Sequence, residues 1–324
     1  MSWGKILTSR EEGWKLGYRL RPYLGNAPED ELQDRLGDIL KNVLTLTPSG
    51  KIGFSRHDHG RDYWLQKTVE VNQELWRRCR PPIHPHSIPG LMPFGRDAAE
   101  LAQRNLRFAR YIGLAPVFGR YGEFVHMQQL QKSGRLMMSP ASTYKDVRLG
   151  AARQDDELML ETVTAPCDYD LGLIDDSIKK LYPARQWLRY RFSKPSDFYL
   201  YCMTTSFDFR YFIDFATTGV KIPTCLLITA QDEFIDRLVN AARAKLPGWT
   251  ITFSAVNYVE PYSLGHRLSW VRDELFFFKH HRYMYQREHR LVCVPPTPTF
   301  SGLKPIFLNL GSLGHMTELV TLDP

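Results

Sequence analysis

The sixteen residues from Arg80 to Gly95 (RPPIHPHSIPGLMPFG) hold five prolines and two glycines, and no regular element survives such a run. Proline lacks an amide hydrogen and fixes its own φ, so the stretch is the best candidate for a linker or a surface arm. Before it, Asn26, Ala27 and Pro28 lead into an acidic turn (Glu29, Asp30, Glu31), and Leu32, Leu36, Ile39, Leu40 and Val43 follow at helical spacing. A second helix is expected over Asp62 to Arg78 with Trp64, Leu65, Val69 and Trp76 inward, and a third over Asp97 to Tyr111.

From residue 113 the pattern changes. Ala115 to Arg120 reads as a strand, Glu123 to Ser133 as a helix closed by Gly134, and Arg135 to Ser139 as a strand followed by the loop PASTYKD. Further strands are expected at Phe198 to Thr204, Thr224 to Thr229, Thr250 to Val256 and Tyr283 to Val294. A helix is expected at Asp232 to Lys245, with Phe234, Ile235, Leu238, Val239 and Ala242 on its inner side. Strands and helices interleave without βαβ regularity and without a Gly-rich phosphate loop, which argues for an α+β fold over a Rossmann or P-loop architecture. The expected organisation is an N-terminal helical region over 1–112, carrying the Pro-rich segment 80–95, and an α+β domain over 113–324.

With 324 residues, 43% hydrophobic and 24% charged, the chain can bury a sizeable core. A formal charge of +7 leans toward an anionic partner such as a dinucleotide, a nucleic acid or an acidic protein. Five cysteines (Cys79, Cys167, Cys202, Cys225, Cys293) are widely spaced with no CxxC, so neither a disulfide framework nor a zinc cluster is expected. The start, MSWGKILTSREEGWKLG, has no apolar leader core and no run of 18 apolar residues occurs, so the expectation is a cytoplasmic protein without a membrane partner. His57-x-His59, His84-x-His86 and His280-His281 lie in three distant segments without HExxH or a cysteine partner, and no metal site is expected from them.

The segment most suggestive of chemistry is Tyr283 to Val292 (YMYQREHRLV), which, as a strand, sets Gln286 and Glu288 on one face. A carboxylate with an amide beside it on a rigid strand suits a reaction that develops positive charge on a sugar. Charged alternation on an exposed edge strand has the same pattern.

In its order of strand (VFGRY), helix (EFVHMQQLQKSG), strand (RLMMS), loop (PASTYKD) and late QREHR motif, the chain over roughly residues 113–320 resembles the ADP-ribosyltransferase fold. The likeness is nearest to poorly characterised bacterial toxin- and defence-associated domains. These carry a Tyr/Arg first strand, a Phe-Asn-Asp-Pro loop and a late Lys, Tyr and Glu-x-Glu-x-Arg series. Here the loop reads Tyr144-Lys145-Asp146, without the Asn or Pro, and the late series reads Lys279, Tyr283, Tyr285, Gln286, Glu288 and Arg290.

The resemblance implies a mixed or antiparallel split β-sheet and an enzyme that takes NAD as substrate. Arg120, with Tyr121 beside it, would hold the NAD phosphates or ribose. Ser142 would prop the second motif, Tyr144 would stack on nicotinamide, Glu288 would be the catalytic acid and Gln286 would orient the acceptor. His126 offers a His-Tyr-Glu version of the site, but its spacing puts it inside the helix after the strand. The implied acceptor is a nucleic acid (DNA or RNA) or a protein, and with water in its place the same site is an NAD glycohydrolase. A basic rim of Lys279, His280, His281, Arg282, Arg287 and Arg290, with Arg148 and Arg153, would favour a phosphate-rich acceptor.

Each residue also has a plain reading. Arg120 reads equally as a surface arginine, Tyr144 as a packing ring, Ser142 as a turn residue, and Glu288 with Arg290 as an ion pair on an edge strand. The basic, aromatic segment FFFKHHRYMYQREHR keeps open a non-catalytic nucleic-acid- or protein-binding module.

Overall fold

The computed structural model describes residues 3–54, 61–83, 96–112, 117–146, 155–164, 172–175, 180–183, 188–215, 223–260, 272–300 and 302–322. The helices among them are α1 (Trp3–Leu20), α2 (Glu29–Val43), α3 (Arg61–Arg77), α4 (Arg96–Arg104), α5 (Phe124–Ser133), α6 (Phe209–Asp214) and α7 (Gln231–Lys245). The strands are β1 (Leu44–Leu46), β2 (Ile52–Phe54), β3 (Phe118–Glu123), β4 (Arg135–Pro140), β5 (Met159–Thr164), β6 (Gly172–Asp175), β7 (Lys180–Pro183) and β8 (Leu188–Ser193). They continue with β9 (Tyr199–Thr204), β10 (Pro223–Ile228), β11 (Thr250–Ala255), β12 (Asn257–Val259), β13 (Phe278–His280), β14 (Glu288–Val294), β15 (Ile306–Asn309) and β16 (Thr317–Thr321). No helix among the described residues is long and apolar enough to cross a membrane.

Sequence and structure agree on an α+β architecture. Its main sheet runs β11-β14-β9-β3-β10-β16, with every pairing antiparallel, and a side branch joins β9 to β4 and β4 to β15. Strand β9 is the fork. Its first residues pair with β4 (Ser139 with Leu200, Pro140 with Tyr199), while its last, Thr204, pairs with Gly119 of β3. The close approach explains the glycine, because a Cβ at 119 would sit 3.0 Å from Thr204 Oγ1.

One face of the sheet carries α5 and α7, whose Met127, Leu130, Phe234, Leu238 and Ala242 are buried against Phe118, Tyr201 and Leu226. The other carries the aromatic cluster of α6, where Phe209, Tyr211 and Phe212 meet Tyr121. Helix α5 stops where the sequence says it should. Gly134 adopts φ +67°, and a Cβ there would lie 2.0 Å from the Gly311 carbonyl oxygen, so only glycine fits both the turn and the contact.

Several boundaries shift. Among the described residues the first strand begins at Phe118, the expected start at Ala115 lying outside them, and the Asp97–Tyr111 helix breaks at Asn105, whose side chain caps back to Leu101 and which opens a 3-10 turn over Leu106–Tyr111. Trp76, expected inward, is 70% exposed, while Trp64 of the same helix is buried. The largest correction concerns Tyr283–Val294. Its first residues form a 3-10 turn (His281–Gln286), Arg287 takes a left-handed conformation at φ +47°, and strand β14 starts only at Glu288. Gln286 and Glu288 therefore do not share a strand face. The turn is held from far away: Asn42 of α2 donates to the His281 carbonyl (2.9 Å) and accepts from the Tyr285 amide (2.8 Å).

Candidate active site

Where β3 and β4 part from β9, a cleft of about 330 Å3 opens. Arg120 and Tyr121 of β3, Tyr144 of the 3-10 turn after β4, Thr204 of β9, Lys279 of β13 and Glu288 of β14 all line it. Sequence-distant residues thus meet at the fork. Ser142 is not on the wall; it donates to Asp197 Oδ2 (2.7 Å) and its amide to Oδ1 (3.1 Å), pinning the turn that carries Tyr144 to the entrance of β9.

Arg120 is half-buried, donating to the Cys202 carbonyl (2.7 Å) with its guanidinium 4.8 Å from the Tyr201 ring centre. Burial opposes its charge, but Tyr201, Tyr144 and Glu288 hold its pKa above the ordinary value. Tyr121 is chiefly a core residue, its ring edge-on to Tyr211 (5.3 Å) and Phe212 (5.0 Å). His126 is exposed on α5.

Glu288 sits on an interior strand, 6% exposed, so the exposed-edge reading of the motif is overturned. Its Oε1 accepts from Lys279 Nζ (3.0 Å) and its Oε2 from Arg290 (2.7 Å). Lys279 Nζ also donates to Gln286 Oε1 (3.1 Å), so the lysine rejoins the pair that the turn separates. Behind them Arg290 forks onto both oxygens of Glu157 (2.9 and 3.2 Å), and Lys194 lies 3.5 Å from the same carboxylate. Burial penalises the charge on Glu288 and on Glu157. Lys279 and Arg290 outweigh it at Glu288, and Arg290, Lys194 and Lys279 at Glu157, so both carboxyls lie below their usual range. Glu288 thus presents an ionised carboxylate to the cleft.

The expected basic rim is also corrected. Lys279, His281 and Arg290 are buried, and the cations among them are ion-paired inside the protein; Arg282 is the exposed one. Arg148, Arg153, His57, His59, His84, His86 and Cys167 lie outside the described residues.

A second cleft of about 430 Å3 adjoins the first, sharing Glu157 and Lys279 as a wall and lined further by Asp155, His280 and Arg282. Burial and then the neighbouring Glu157 push the Asp155 carboxyl up to about 6, against the pull of Lys279. A raised carboxyl pKa makes stability fall as pH rises from the unfolded value of about 3.9 to the folded one, with the penalty constant above it. Asp155→Asn is therefore expected to raise the melting temperature at pH 7.5 and to leave it unchanged near pH 3.5, as thermal denaturation at the two pH values will read.

The chain matches no protein-family model, no curated protein and no solved structure. Lys279 was visible in the late motif as a residue type but not as the bridge between Gln286 and Glu288. Glu157 was missed: its only sequence signal is the acidic run Asp155-Asp156-Glu157 ahead of β5, and nothing local pairs it with Arg290, 133 positions on.

Proposed function

We propose that the cleft binds NAD and that the protein breaks the nicotinamide–ribose bond and transfers ADP-ribose to an acceptor. One observation carries this reading: Arg120, Tyr121, Tyr144 and Glu288, singled out from separate segments, line a single cleft. Its volume of about 330 Å3 falls within the range of roughly 300–1,000 Å3 for small-molecule sites.

In this reading Tyr144 lies against the nicotinamide ring and Arg120 against ribose or phosphate. Glu288 faces the anomeric carbon, where a fixed carboxylate in a partly desolvated cleft stabilises the developing oxocarbenium ion. Lys279 fixes the Glu288 carboxylate and the Gln286 amide by one ammonium group. Two hydrogen bonds leave a carboxylate with acceptor capacity for a ribose hydroxyl. The proposed acceptor is a nucleic acid, favoured by the charge of +7, with a protein side chain as the alternative and NAD hydrolysis when neither is present. A role as a toxin or phage-defence effector follows from the family resemblance alone.

A second reading has its own support. Both Glu288 oxygens already meet cations, as they would in a purely structural network beneath a non-catalytic binding module. Substitution at Arg120 tests the NAD contact itself. A guanidinium contact to phosphate or ribose is worth about 1.5–3 kcal/mol, so Arg120→Ala is expected to raise the KM for NAD by roughly tenfold to a hundredfold with little change in kcat. NAD titration of the variant, with its fold checked by circular dichroism, makes the test. Unchanged NAD affinity would make Arg120 a packing residue over Tyr201 and remove it from the site.

A further inference from the structure

Outside the proposed NAD cleft, the geometry points to a divalent transition-metal site at the seam between α2 and the 281–286 turn, with Asp38, His280 and His281 as ligands and Glu260 beside them. One ligand atom from each of Asp38, His280 and His281 lies within 4.8 Å of the others.

The cluster alone is unremarkable as chemistry goes, and what gives it meaning is His281. It is 1% exposed and neither ring nitrogen makes a hydrogen bond, although buried polar groups are nearly always satisfied. Its Nε2 stands 3.9 Å from Asp38 Oδ2 and 4.0 Å from Glu260 Oε2. Both gaps are too long for a hydrogen bond and a little wider than the roughly 3.3–3.6 Å between tetrahedral ligands on bonds of about 2.0–2.2 Å, so the side chains would draw in slightly to close on an ion.

The ligand set suits the ion. A neutral imidazole offers one ring nitrogen with a free lone pair, and a carboxylate offers an oxygen, so the three side chains supply a mixed nitrogen and oxygen shell. Two imidazoles and a carboxylate favour zinc and its first-row neighbours over magnesium or calcium, which prefer all-oxygen shells. The frame is rigid, since Asn42 clamps the His281 carbonyl from α2 and Trp64 stacks on the His281 ring at 5.7 Å.

A cation already stands near this position. The Arg282 backbone amide (3.2 Å) and Nε (3.1 Å) both donate to His280 Nδ1, and Nε lies 3.7 Å from Asp38 Oδ2, so an ion taken up on that nitrogen would displace the amide as well as the guanidinium. Arg282 is 45% exposed, and both it and His280 line the second cleft, so the side chain can swing to solvent and the cleft gives the ion a route in. Arg35, a further cation nearby, is committed to Glu260 Oε1 at 2.7 Å. A bound metal would tie α2 to the residues that follow Lys279 and so hold the wall between the two clefts.

The test uses full-length protein stripped with chelator and gel-filtered, titrated with zinc chloride by calorimetry and with cobalt chloride by visible absorption. One zinc per chain and a rise in melting temperature are expected for the wild type, since an ion bound only by the folded state stabilises it by mass action. Asp38→Asn and His280→Gln, each checked for fold, are expected to weaken zinc by more than the roughly 10–100-fold that loss of a group hydrogen-bonded to a ligand costs. Arg282→Ala is expected to tighten it, and His315→Ala, at an exposed histidine far along the chain, to leave it unchanged. Absence of zinc binding in the wild type, or binding that Asp38→Asn and His280→Gln leave intact, overturns the site.

Discussion

Glu288→Gln is expected to slow nicotinamide release from NAD by roughly a hundredfold to a thousandfold, the range for losing one preorganised electrostatic group at a reacting centre. The shape of the side chain barely changes, but the charge that the proposed reaction places beneath an oxocarbenium ion disappears. The geometry adds a condition to this expectation. Glu288 accepts from Lys279 on one oxygen and from Arg290 on the other, so the amide turns an N–H toward one of two buried cations. Some loss of stability accompanies the loss of rate. The two are separated by measuring the rate per folded molecule together with NAD affinity: a collapsed rate with near-normal affinity marks Glu288 as the group under the transition state. A rate that falls only with the folded fraction would leave it a structural acid.

The second large effect is structural. Glu157 is 4% exposed and takes both N–H arms of Arg290 while facing Lys194 and Lys279. Glu157→Ala leaves those cations short of a partner in a dry interior, where breaking a buried pair costs about 3–5 kcal/mol. The melting temperature is expected to fall by roughly 4–7 °C for a chain of this size. Because the carboxyl pKa is depressed in the folded state, the stability it contributes is present above the unfolded value of about 4.3 and is lost as pH falls through the folded one. The gap between wild type and variant is therefore widest near neutral pH and narrows under acid. Equal melting temperatures at pH 7.5 would mean that the network relaxes without its central acid.

What the sequence revealed and what it hid divide along the range of the interactions involved. Helix α5 and its stop were legible because an apolar face and a left-handed glycine at 134 are local signals. Strands β9, β10 and β11 were legible for the same reason, as β-branched and aromatic runs between turn residues. The turn at 281–286 was not. Its alternating aromatics and charges read as a continuous strand, and the forces that bend it come from Asn42, more than two hundred positions earlier. Of the site, Arg120, Tyr144 and Glu288 were visible as residue types in a recognisable order, and the fork in the sheet brings them together. The ion network was hidden, since Glu157 and Arg290 meet only in three dimensions, and so was the burial that turns the supposed basic rim inward.

The most direct test of an NAD-cleaving cleft is to incubate the purified, folded protein with NAD and follow free nicotinamide by chromatography, with Glu288→Gln alongside. Nicotinamide accumulating over many turnovers with the wild type and nearly absent with the variant is the expected result. A wild type that releases none, whether or not nucleic acid or protein acceptors are supplied, or a variant that matches it, would contradict NAD cleavage at Glu288.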